Sequence, residues 1–137
     1  MNDRPAVSIQ GVSKHFKAGV TALSGIDLDV RPQELISLIG PSGCGKSTLL
    51  RIIGDLIDPS EGVVEVNGKP ASQARRDHDY GIVFQDAVLY DWRTVARNIA
   101  LPLELAGWSR EQRTTRVGEM LDLVELRGFG ENHPWQL

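Results

Sequence analysis

The run Gly40-Pro41-Ser42-Gly43-Cys44-Gly45-Lys46-Ser47 satisfies G-x-x-x-x-G-K-[ST], a spacing suited to holding a polyphosphate. Its glycines let the backbone turn through positive φ and leave no Cβ in the path of a phosphate. Successive N–H groups from Gly43 to Thr48 can then point into one concavity, an anion nest. The helix that follows adds the positive end of its dipole. Lys46 brings a mobile cation for β- and γ-phosphates, and the Ser47 hydroxyl a ligand for Mg²⁺. Cys44 stands at a variable position of the pattern and reads as a small spacer.

Hydrolysis asks for a second device, an apolar strand ending in an Asp that fixes Mg²⁺, with an acidic base beside it. Val88-Leu89-Tyr90-Asp91 comes nearest, but it has three apolar residues and runs on into Trp92 rather than Glu. Leu121-Asp122-Leu123-Val124-Glu125 falls on a helical pattern. Both read as structural.

A phosphate loop must be launched by a strand and received by a helix. Leu35-Ile36-Ser37-Leu38-Ile39 is short and nearly all apolar, the pattern of a strand buried on both faces. Ser47-Thr48-Leu49-Leu50-Arg51-Ile52-Ile53 has helical character, with Gly54 as its stop. Ahead of the loop, Val7-Ser8-Ile9-Gln10 and Ile26-Asp27-Leu28-Asp29-Val30 alternate like half-exposed antiparallel strands. Behind it, Val63-Val64-Glu65-Val66 reads as a strand, and Asn67-Gly68 offers a hairpin turn.

Arg75-Arg76-Asp77-His78-Asp79 then reads as a solvated surface loop, and Tyr80-Gly81-Ile82-Val83-Phe84 as a buried strand ending at Gln85. Thr94 suits the cap of a helix running towards Leu101, with Pro102 interrupting it. Ser109 and Gln112 form a capping box, and Val117, Met120, Leu121 and Val124 make an apolar stripe behind it.

Composition narrows the functional classes. The 137 residues carry 41% hydrophobic and 24% charged side chains, globular proportions that argue against a disordered chain. A net charge of −3 argues against a protein built around the nucleic-acid backbone. One cysteine excludes an internal disulfide, and His15, His78 and His133 show no metal-ligand spacing. No apolar run reaches the ~18 residues of a membrane span, and Met1-Asn2-Asp3-Arg4-Pro5 does not lead into the apolar core of a signal peptide.

Taken together, these residues resemble the ATP-binding subunits of ABC transporters. Residues 40–48, GPSGCGKST, are similar to that family's Walker A sequence. Phe16, in Val12-Ser13-Lys14-His15-Phe16, matches the position of an aromatic ring that stacks on adenine. Gln85, in Ile82-Val83-Phe84-Gln85, matches the Q-loop glutamine that contacts Mg²⁺ and the attacking water. The resemblance thus implies Lys46 and Gln85 as catalytic residues, and Ser47 and Gln85 as Mg²⁺ ligands. It implies Phe16, Gly40, Pro41, Ser42, Gly43, Cys44, Gly45, Lys46, Ser47 and Thr48 as the ATP-binding set.

Leu89-Tyr90-Asp91-Trp92-Arg93-Thr94-Val95 is similar to the Q-loop region of the nitrate, taurine and aliphatic-sulfonate importer branch, where a Trp-Arg-Thr-Val run is usual. In that family a transmembrane permease docks here, between Gln85 and Thr94 in this numbering. A second ATP-binding subunit completes the dimer, which sits on the cytoplasmic face of the membrane. The likeness runs from Val7 to Leu137 and covers about the first half of a family domain. Asn132-His133-Pro134-Trp135-Gln136-Leu137 is similar to the residues that lead into the Ser-Gly-Gly signature.

The expected fold is therefore an incomplete α/β P-loop NTPase of ABC type. Residues 1–85 form a β-rich part with the P-loop and Q-loop strand, and residues 86–137 the start of a helical subdomain. The expected function is ATP binding that energises solute import. The alternatives are a truncated, non-catalytic nucleotide-binding or permease-docking piece and, less favoured, a small nucleotide kinase. A kinase of that kind would begin at its P-loop strand, whereas 39 residues precede Gly40 here.

Overall fold

Alternation along the N-terminal segments sends apolar side chains to one face, and the segments pair as antiparallel strands. The computed structural model describes residues 4–17, 19–86 and 88–137, so Met1, Asn2 and Asp3 of the polar start lie outside the described residues. The chain divides into two compact units, Met1–Val83 and Phe84–Leu137.

The first unit is built on β1 (Val7–His15), β2 (Thr21–Val30), β3 (Glu61–Val66) and the short β4 (Lys69–Pro70). They form one antiparallel sheet in the order β2-β1-β3-β4. Ile9 pairs with Leu28 on one side and Val64 on the other. Ile9, Val12, Leu23 and Val64 are buried on one face, against Leu49 and Ile52 of α1 (Lys46–Ile53). Fully burying such a side chain contributes about 1.5–3 kcal/mol, so this cluster anchors the helix that follows the glycine-rich loop. Asn67 and Gly68, at φ 52° and 70°, close the β3–β4 hairpin. A two-residue turn needs positive φ at both positions, which Asn-Gly accepts most readily.

Three expectations for this unit are corrected. Residues 75–79 do not form a loop throughout: Arg75 and Arg76 end a helix, α2 (Ala71–Arg76). Arg75 to His78 are exposed as expected, and the charges of the segment are also paired across the surface, Lys69 with Asp77 at 2.7 Å and Asp79 at 3.0 Å, and Arg75 with Asp55 at 2.8 Å. Residues 35–39 and 80–84 are not strands. Apolar sequence makes a segment fit for a sheet interior, but a strand exists only where a neighbouring backbone completes its ladder. Among the described residues neither segment has such a neighbour, and Leu35, Ile39 and Val83 are 96%, 93% and 98% exposed.

In the second unit, local capping does most of the specifying. Thr94 caps α3 (Val95–Leu105), its hydroxyl accepting from the Arg97 N–H at 3.3 Å. The first N–H groups of α3 are taken by the chain's end, Val95 donating to the Asn132 carbonyl and Ala96 to that of Gly130, each at 2.8 Å. Pro102 does not interrupt the helix. Its ring removes one donor, yet the turn beyond it closes when the Ala106 N–H donates to the Pro102 carbonyl at 3.0 Å.

The Ser109 capping box opens α4 (Arg110–Leu123) as expected, with Gln112 N–H on Ser109 Oγ at 3.3 Å and Ser109 N–H on Gln112 Oε1 at 3.0 Å. The stripe behind it is shorter than expected. Val117 is buried, Met120 and Leu121 are half-buried, and Val124 lies past the helix end, exposed. A single 3₁₀ turn, Pro134–Gln136, follows.

Candidate functional site

Leu49 and Ile52 hold α1 on the inner face of the sheet, and that contact fixes where the N-terminus of the helix lies. The loop ahead of it packs on β2 so closely that a Cβ at Gly45 would lie 2.5 Å from the Ala22 carbonyl oxygen and 2.8 Å from Leu23 Cδ2. Gly45, at φ 97°, is the residue from which the helix starts, and Gly43 turns at φ 81°. Only glycine satisfies both the angle and the space at position 45.

Helix α1 opens with no acidic residue in its first turn and no side-chain cap. The N–H groups of Lys46, Ser47 and Thr48 are therefore left for a ligand, at the positive end of the helix dipole. A Cβ added at Gly43 would meet nothing within 4 Å, so the loop is open on that side. Lys46 lies across the loop, its ammonium donating to the carbonyls of Gly40 and Pro41 at 2.7 Å each and to Cys44 Sγ at 3.3 Å. Convergent donors, a cation and an open concavity fit a chain of phosphates.

Ser47 is exposed and Thr48 half-buried at this helix start. Among the described residues no cluster of three or more His, Cys, Asp or Glu side chains is placed to hold a metal ion. The Ser47 hydroxyl at the helix start is of a type that ligates Mg²⁺, an ion that usually keeps phosphate oxygens and water among its other ligands.

Phe16 sits one residue past the last β1–β2 pair, His15 with Thr21. Ala22 and Leu23, against which Gly45 packs, follow directly on β2. The aromatic ring and the loop thus occupy the same end of the ribbon. Phe16 is 44% exposed, and the Lys14 ammonium stands 5.5 Å from its ring centroid while donating to the Asp58 carbonyl at 2.6 Å. A ring anchored in this way can stack on a planar base. Gln85 belongs to the other unit, where it is exposed in a bend.

In that second unit the turn ahead of α3 displays Trp92, 74% exposed, with Arg93 5.7 Å from its ring and Tyr90 at 5.5 Å between centroids. The turn is held by residues that sequence reading passed over. Asn98, buried in α3, accepts from the Tyr90 N–H at 2.8 Å and donates to the carbonyls of Tyr90, Arg93 and Thr94 at 3.0–3.1 Å. Glu104 ties Arg93 of the turn to Arg113 of α4, at 3.0 and 3.3 Å. An Asn in mid-helix, where it lowers helix propensity, was the one available signal. Nothing in the sequence marks Glu104 or Lys14.

Comparison with known proteins follows this geometry. Residues 23–136 match the family model described as ABC transporter. The chain is 43% identical to the methionine import ATP-binding protein of Nocardia farcinica, over 100% of this chain and 44% of that protein. It is 42% identical to the taurine import ATP-binding protein of Pseudomonas putida strain KT2440, over 96% of this chain and 50% of that protein. The sulfate/thiosulfate import ATP-binding protein of Gloeobacter violaceus is 42% identical, over 96% and 38%. The chain thus spans half or less of the length of these curated relatives. Among solved structures, an ATP-binding cassette described as a dimer in a post-hydrolysis state bound to ADP and phosphate superposes with a TM-score of 0.85 at 36% identity, over 96% of this chain and 62% of that one. The fold is accordingly that of an ABC-type P-loop ATPase.

Proposed function

The chain belongs to the ABC transporter family, and on that premise we propose that it binds ATP with Mg²⁺ through residues 40–48 and serves the energising side of solute import. The observation that carries this reading is the loop itself: Gly43 and Gly45 at positive φ, three helix-start N–H groups without acceptors among the described residues, and Lys46 across the opening. Phe16, at the same end of the β1–β2 ribbon, is the platform for adenine, and Ser47 is a ligand to Mg²⁺. Lys46 acts on the γ-phosphate; the roles of Gln85, toward Mg²⁺ and the attacking water, rest on the family resemblance alone. When bound, Mg²⁺ neutralises phosphate charge.

The partner is a transmembrane permease, received at the surface between Gln85 and Thr94, where Trp92 is the exposed anchor. No helix among the described residues is long and apolar enough to cross a membrane; the family resemblance places the chain at the cytoplasmic face, held there by the permease. A second ATP-binding subunit is the other partner. The relatives' names cover methionine, sulfate or thiosulfate, spermidine or putrescine, and taurine at 41–43% identity, so overall similarity does not select a solute. The Trp92-Arg93-Thr94-Val95 run supports the nitrate, taurine and sulfonate group.

Calorimetry with Mg-ATP tests the binding claim. Lys46→Ala removes the cation and leaves the backbone donors, so ATP binding should weaken at least about tenfold, roughly 1.4 kcal/mol. Equal affinity for wild type and variant would remove the basis of the reading.

A further inference from the structure

Lys46 has three N–H donors, and the loop supplies three acceptors: two backbone carbonyls, of Gly40 and Pro41, and one side-chain atom, Cys44 Sγ. The carbonyls belong to the loop's own backbone and persist whatever occupies the site. The sulfur is different in kind. Sulfur is a weak acceptor, and at 3.3 Å it is the longest of the three contacts. It also rides on the loop between Gly43 and Gly45, the two residues whose positive φ angles shape the concavity.

We propose that Cys44 is a positioning residue for Lys46: its sulfur accepts from the third donor of the ammonium, the one that a phosphate oxygen takes when ligand binds. The inference rests on the reading of residues 40–48 as a nucleotide site and adds a determinant of its affinity. Gly40 and Pro41 fix the ammonium at the mouth of the loop, and Cys44 holds it satisfied until phosphate arrives. A stronger acceptor at position 44 competes with phosphate, and an absent one leaves a free donor aimed at it. The order of affinity is then set by the acceptor at 44 and not by its size. The structure gives that side chain room to change, because Cys44 is exposed and its own N–H makes a long 3.4 Å contact with the Pro41 carbonyl.

The test uses the chain of residues 1–137 as wild type, Cys44→Ala and Cys44→Ser, titrated with Mg-ATP and, separately, with inorganic tripolyphosphate. Losing one weak acceptor should tighten binding of both ligands about two- to five-fold in Cys44→Ala, while Cys44→Ser has wild-type affinity or lower. A second arm needs no ligand. In ¹⁵N-lysine-labelled protein, with the Lys46 ammonium signal assigned by its loss in Lys46→Met, that signal should exchange with water faster in Cys44→Ala than in wild type or Cys44→Ser. Unchanged exchange, or Cys44→Ala binding no more tightly than wild type, overturns the proposal. Should none of the proteins bind Mg-ATP, the nucleotide reading falls, and the exchange comparison alone still decides for or against the Cys44–Lys46 contact.

Discussion

Gly45→Ala probes the join between the loop and the sheet. The backbone there sits at φ 97°, and a left-handed conformation costs an L residue about 1–2 kcal/mol. The added methyl would also lie 2.5 Å from the Ala22 carbonyl oxygen and 2.8 Å from Leu23 Cδ2. Leu23 is a buried member of the core cluster, and the Ala22 carbonyl belongs to β2, so neither can retreat without shifting the strand. Overpacking of this kind costs about 1–3 kcal/mol, so the total is roughly 2–5 kcal/mol, a large share of a small domain's stability.

Gly43→Ala is the internal control. It carries a similar angle, φ 81°, but its methyl would meet nothing within 4 Å, so only the conformational term of about 1–2 kcal/mol remains. Urea unfolding of the two variants measures both losses, and Mg-ATP calorimetry shows whether the surviving fold keeps its loop. Gly45→Ala should be the more damaging by about 1–3 kcal/mol. Equal losses at 43 and 45 would mean that the loop does not pack on β2, and the placement of Phe16 beside it would go too.

Asn98→Ala removes this side chain's hydrogen bonds to the 90–94 turn and leaves the Tyr90 N–H and the Arg93 carbonyl without them, while the Tyr90 and Thr94 carbonyls keep the N–H groups of Arg93 and Asn98, a loss of about 1–3 kcal/mol in urea unfolding. Asn98→Asp should be at least as harmful, because a carboxylate would face three carbonyl oxygens; a neutral result for either variant would refute this account of the turn. The hydrogen bond from Lys69, followed by that from Gln73, lowers the Asp77 pKa below 3.8, so Asp77 contributes stability that is present above that value and lost as pH falls through the folded-state pKa. The stability gap between wild type and Asp77→Asn, measured by thermal melting across pH, should accordingly close in acid; a gap that stays constant refutes the pairing. Residues 1–137 by themselves should bind ATP without sustained turnover, since no apolar strand ending in Asp with an acidic base follows the loop within them. Phosphate release that Lys46→Ala abolishes would contradict that expectation.

What the sequence determined by itself is whatever its neighbours in the chain complete. The phosphate nest needs only residues 40–48 and the helix they start, so its chemistry was readable from type and spacing. The same holds for the Thr94 cap, the Ser109 box and the Asn67-Gly68 turn, each closed within about three residues. The tertiary structure decided everything that waits on a distant partner. Residues 35–39 and 80–84 carry the apolar pattern of buried strands, yet with no neighbouring backbone to bond among the described residues they are not strands. Arg75 is exposed as its local pattern suggests, but its ion pair with Asp55, twenty residues away, is invisible in that pattern. Gly45 reads as one glycine of a motif, but its necessity comes from Ala22 and Leu23. Hydrogen bonds and burial act over a few ångströms of space, and only where those ångströms also lie along the chain can a sequence announce them.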